Sequence, residues 1–139
     1  MGRLKVFLNA WGPALLWMAL IFYLSAQSQL PTVPESWLDT LLKKSAHFLV
    51  YAVLARLYLR ALGFYRPLPL PAAGLALLLA ALYAVTDEFH QAFTPGRTPR
   101  LTDWIIDCAG AAAGLFRVGL PRRRGGEAVS RARPPGNLP

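Results

Sequence analysis

The chain has 139 residues, enough for one domain, and is 55% hydrophobic but only 16% charged, against about 25% charged in a soluble domain. That shortfall excludes an ordinary water-solvated globule and points to lipid as the solvent. The formal net charge of +8 is uneven and densest near the C-terminus, with no aromatic-interleaved basic face, so nucleic acid is not an expected partner. The lone Cys108 excludes an internal disulfide and cannot by itself make a metal site.

A membrane-spanning helix takes roughly 20 mostly apolar residues, and four stretches qualify. Residues 7–24 are apolar except for Asn9. Arg3 and Lys5 ahead of them would also suit a signal peptide cut after Ala26, but signal cores run to about 7 to 15 residues, so an uncleaved helix is expected. Next, "PESWLDTLLKK" at 34–44 puts Trp37, Leu38, Leu41 and Leu42 on one helical side. Glu35, Asp39 and Lys43 recur at i, i+4 on another, which predicts a short helix lying in the membrane interface. The second span, 47–64, is interrupted by Arg56 and Arg60. Arg56 has two open roles, as a partner of Asp107 or as a snorkelling cation.

The third span, 68–85, should run on through Phe93. A carboxylate such as Asp87 is unfavourable at a helix C-terminus, and no breaker precedes "TPG" at 94–96. The fourth, 101–120, carries Asp103, Asp107 and Arg117, and its Gly110 and Gly114 predict close helix packing. The Arg-, Pro- and Gly-rich stretch 121–139 is expected to be a disordered tail. Its "RRRGG" suits either contact with anionic lipid headgroups or a solvated topology anchor. The expected fold is therefore all-α: an integral membrane four-helix bundle over residues 1–120, with an interfacial helix in its first loop. With the N-terminus inside, eleven Lys and Arg lie on that side against Lys43, Lys44, Arg97 and Arg100 on the other. This predicts both termini on the cytoplasmic face of the inner membrane.

In an up-down order, the end of the first helix, start of the second, end of the third and start of the fourth share one membrane surface. Ser25 lies at the first of these places. Lys44, His47 and Tyr51 follow at spacings of three and four. Asp87, Glu88, His90 and Gln91 end the third helix, Asp103 and Asp107 open the fourth, and Arg97 and Arg100 stand in the loop between. An ionisable residue near a transmembrane helix centre costs about 2.5 to 3.5 kcal/mol on insertion scales, so this convergence predicts an outward-facing polar cavity. His47, Asp87 and Glu88 are the candidate catalytic groups, because a carboxylate can tune an imidazole for acid–base work. Ser25, Lys44, Tyr51, His90, Gln91, Arg97, Asp103 and Asp107 are candidate ligand-binding groups, with Lys44 and Arg97 suited to an anionic headgroup.

Plainer roles stand beside these. Thr102 and Asp103 are good helix N-caps, Lys44 suits an interfacial anchor, and Glu88 would face water. The charges together would make a structural ion-pair staple. No nucleophile motif is present, and Ser25 is not taken as one. No cofactor is expected; a divalent metal on the acids and two histidines stays open, although H-E-x-x-H and C-x-x-C spacings are missing.

"KSAHFLVY" at 44–51, "DEFHQAFTPGR" at 87–97, Asp103, the pair Gly110 and Gly114, and "FYLSAQSQ" at 22–29 together resemble the VanZ-like family. The resemblance runs over residues 11–114, in order. Lys43 departs from it, standing where the family often has an acid, and so does Asp107, where it often has Asn. It implies a small bacterial integral membrane protein, of a family whose named member is associated with resistance to teicoplanin. Two classes of function follow. One is an intramembrane enzyme acting on an envelope lipid or lipid-linked cell-wall precursor. The other is a non-enzymatic binder or transport accessory whose polar cluster is mainly structural. Four short spans without an inverted repeat argue against a complete monomeric transporter, and a homo-oligomer stays open.

Overall fold

Backbone N–H and C=O groups cannot stay unpaired in hydrocarbon, so a chain this apolar must close its hydrogen bonds within helices or a barrel. The computed structural model describes residues 2–27, 36–65 and 71–116. It takes the helical route, with α1 (Gly2–Ser25), α2 (Ser36–Leu62), α3 (Ala72–Gln91) and α4 (Leu101–Phe116). The first three are long and apolar enough to cross a membrane. The 16 residues of α4 rise about 24 Å. Leu16, Leu49, Leu82 and Ile105 all point outward, the reverse of a water-soluble bundle.

Two of the expected boundaries differ in ways that bear on the site. Residues 36–44 are not a separate interfacial helix but the first part of α2, whose 27 residues run unbroken. No Pro or Gly separates Lys44 from His47, and the Lys43–Asp39 ion pair at 2.6 Å bridges one turn. At 1.5 Å per residue α2 rises about 40 Å, exceeding a hydrocarbon core of about 30 Å. Helix α3 stops at Gln91 rather than Phe93: the Ala92 N–H still donates to Glu88, but Phe93 and Thr94 donate to His90 and Gln91, tightening the last turn. The expected continuation of the fourth span to residue 120, Arg117 and the tail at 121–139 lie outside the described residues, as do Pro34 and Glu35.

Helix α2 is central and touches the other three, whereas α1 and α4 make no contact with each other among the described residues. The tightest approach is between α2 and α4. A methyl group on Gly110 would overlap the Phe48 carbonyl, and one on Gly114 would overlap that of Ala52. Both pairs share one offset in numbering, so the two helices run parallel in a fixed register. In α3 the buried stripe reads Ala76, Ala80, Ala84, then Asp87, Glu88 and Gln91. The acids thus continue the protein-facing side of the helix and do not face lipid.

Polar ends of aromatic side chains tie the helices through backbone carbonyls: Trp17 Nε1 to Val50 at 2.9 Å, Tyr83 OH to Met18 at 2.7 Å and Trp104 Nε1 to Ala81 at 3.2 Å. A further tie repairs a defect. Pro13 lies inside α1 and has no N–H, which leaves the Asn9 carbonyl without its helical donor. Arg60 Nη1 donates to Asn9 O at 3.0 Å and to Ala10 O at 3.3 Å.

Gly110→Ala should lower the unfolding free energy in detergent by about 1 to 3 kcal/mol through overpacking. Gly74→Ala, where a new methyl meets nothing within 4 Å, should be neutral or stabilising. Arg60→Leu should cost about 1 kcal/mol, and less in a Pro13→Ala background, where the alanine N–H supplies the missing donor. A double-mutant thermal-denaturation cycle measures that coupling.

Candidate functional site

The seat of Gly110 on Phe48 carries Asp107, one turn earlier on α4, to the level of His47 on α2. His47 Nδ1 and Asp107 Oδ1 share a hydrogen bond of 3.0 Å, and the Asp107 side chain is wholly buried while 23% of the His47 side chain is exposed. An ionised carboxylate only accepts, so Nδ1 then carries the proton and Nε2 of the neutral ring is an acceptor. Nε2 has no protein partner among the described residues. The expected pairing of His47 with Asp87 or Glu88 is therefore replaced by one with Asp107, a residue whose position predicts ligand binding.

Asp87 serves a different partnership. Its Oδ2 accepts from Tyr51 OH at 3.3 Å and from Gln91 Nε2 at 3.2 Å. Its Oδ1 is buried with no hydrogen-bond partner among the described residues, as are Ser25 Oγ and Asp107 Oδ2. A cavity of about 220 Å³ lies among α1, α2, α3 and the loop after α3. Its polar wall is Ser25, Lys43, His47, Tyr51, Asp87, Gln91 and Arg97, and Ile21, Leu24, Ala46 and Val50 supply the apolar remainder.

Lys44 is not on that wall. It borders a shallow depression with Ser45, Phe48, Leu49 and Ile106 on the α4 side of α2. The cavity-facing stripe is Lys43, His47 and Tyr51 at four-residue steps, and Lys44 lies about 100° further round the helix. Lys43, expected on the polar side of an interfacial helix and as a departure from the family pattern, thus occupies the place expected of Lys44. Both lysines satisfied helical spacing with His47, so periodicity alone did not separate them.

The remaining candidates hold the frame. Arg97 donates from Nε to the Gln27 carbonyl at 3.3 Å and from Nη2 to that of Leu24 at 3.4 Å. This places a cation on the negative end of α1 while leaving Nη1 without a partner among the described residues. Glu88, expected to be catalytic or to face water, is buried and accepts from the Arg100 N–H at 2.9 Å. It occupies the orphan donor just before α4 from another helix, as a capping-box glutamate does within one helix. His90 stacks on Phe22 with centroids 3.9 Å apart and is not on the cavity wall. Asp103 is no N-cap: α4 begins at Leu101, so Asp103 lies in its first turn, where a carboxylate suits the helix dipole. Arg56 does not pair with Asp107; its Nε donates to the Gly114 carbonyl at 2.9 Å. Among the described residues no group of three or more His, Cys, Asp or Glu is placed to hold a metal ion.

Three helices long and apolar enough to span a membrane, with apolar side chains on their outer faces, are the architecture of an all-α membrane protein. The chain belongs to the VanZ/LLP1 family, whose profile matches residues 10–120. Neither a curated protein nor a solved structure gives a significant match to the chain.

Glu88→Ala should leave the Arg100 amide without its acceptor, destabilising the fold by about 0.5 to 1.5 kcal/mol. Hydrogen exchange at that amide should quicken, and Glu88→Gln, which keeps an acceptor oxygen, should restore much of its protection.

Proposed function

We propose that this membrane protein binds the phosphate-bearing headgroup of an envelope lipid or lipid-linked cell-wall precursor in the cavity. His47, oriented by Asp107, acts as the acid–base group on that ligand. The hydrogen bond between a buried carboxylate and an imidazole on the cavity wall carries this reading. A buried acid on one nitrogen fixes the ring's orientation and leaves the other nitrogen for a reacting group, as in the orienting half of a catalytic triad. Lys43, whose ammonium also meets Asp39, and Arg97 supply positive charge at the same cavity, and both are charge-assisted donors to phosphate. In the orientation that retains positive loops inside, the cavity opens at the periplasmic side of the inner membrane, where wall precursors are used. Membership of the family links the role to glycopeptide tolerance.

The contrasting reading, a polar cluster that only staples helices, draws less support. Arg56, Arg60 and Arg97 reach across helices to backbone carbonyls and not to acids. The cavity carboxylate Asp87 meets neutral donors.

General acid–base groups contribute about 10²- to 10⁴-fold in rate, enough to remove a growth phenotype. In a teicoplanin-susceptible bacterium, the wild-type chain should raise tolerance and His47→Gln should abolish it at equal membrane abundance. A His47→Gln protein as protective as wild type rejects His47 as the acid–base group.

A further inference from the structure

The cavity wall is not uniformly cationic. Beside Lys43 and Arg97 it includes Asp87, 3% exposed, whose Oδ2 is held by Tyr51 and Gln91 while Oδ1 has no partner among the described residues. Leaving a buried carboxylate oxygen unpaired is unfavourable. Tyr51 and Gln91 fix the group, so it does not turn away to find solvent. A purely anionic headgroup would satisfy the cations and set its negative charge against this acid. A headgroup carrying both a phosphate and a primary ammonium answers both signs at once.

We propose that the cavity selects an aminophospholipid, its phosphate on Lys43 and Arg97 and its ammonium donating to Asp87 Oδ1. Arg97 keeps Nη1 for this purpose, since its bonds to α1 use Nε and Nη2. Ile21, Leu24 and Val50 offer an apolar wall to the glycerol end of the acyl chains. The proposal rests on the reading of the cavity as a headgroup site and narrows it to a zwitterion.

The test is equilibrium binding of phosphatidylethanolamine and phosphatidylglycerol with identical acyl chains to the full-length protein in detergent, read by native mass spectrometry. A charge-assisted hydrogen bond predicts phosphatidylethanolamine tighter by about ten-fold or more. Phosphatidylcholine, whose ammonium has no N–H, should bind no better than phosphatidylglycerol, a comparison that needs no variant. Asp87→Asn should bring phosphatidylethanolamine down to the phosphatidylglycerol affinity, and Arg97→Gln should weaken both lipids. Wild-type protein binding phosphatidylglycerol as well as phosphatidylethanolamine overturns the zwitterion assignment but leaves the headgroup reading standing. A preference that survives Asp87→Asn removes Asp87 from it. Failure of all three lipids to bind overturns the phospholipid assignment and leaves a lipid-linked precursor as the headgroup ligand.

Discussion

Direct contact between two helix backbones is the constraint on which the rest depends. Lipid tails are as apolar as leucine, so burial of oily side chains gives helices little reason to associate within a bilayer. Shape and hydrogen bonding must do so. Gly110 and Gly114 let α4 settle onto the carbonyls of Phe48 and Ala52, and that seat brings His47 and Asp107 within 3.0 Å. Larger residues there would hold the helices apart and break the dyad before any polar residue was altered. The site is thus a consequence of two missing side chains.

The chain handles buried charge mostly without opposing charges. Its guanidinium groups donate to carbonyls at Asn9, Leu24, Gln27 and Gly114, while Glu88 and Asp87 accept from an amide, a phenol and a carboxamide. A buried ion pair must overcome the desolvation of both partners. On the cavity wall Lys43 meets Asp39 and His47 meets Asp107, whereas Asp87 and Arg97 have neutral partners that leave their charges uncancelled. Helix ends and the gap at Pro13 supply the acceptors.

The overall class and the gathering of polar groups at one end were legible because both rest on local rules: span length, the period of the helix and the small-residue pattern. The pairings were not. His47 finds its acid sixty residues away, through a register set by glycines whose seat on α2 no spacing specifies. Asp87, expected beside His47 as its tuning acid, instead accepts from Tyr51 and Gln91. Lys43 and Lys44 each fit a helical stripe through His47, and only the placement of α1 and α3 decides which stripe borders the cavity. The first turns of α2 have the composition of a separate interfacial helix, but amphipathic composition describes a surface and not a break in the backbone. Arg60 had a structural use that Pro13 implies, and the signal was in the sequence: a proline within an apolar span leaves a carbonyl in need of a donor.

Helix α1 is gripped toward both ends by arginines, Arg60 at Asn9 and Ala10 and Arg97 at Leu24 and Gln27. Both grips take hold of main-chain oxygens, which every residue type possesses. The outer flank of this helix can therefore drift under mutation, adapting to membranes of different thickness or lipid make-up, without loosening its attachment to the bundle. Evolutionary freedom on that flank and rigidity at the pocket are compatible because the anchor points carry no side-chain identity.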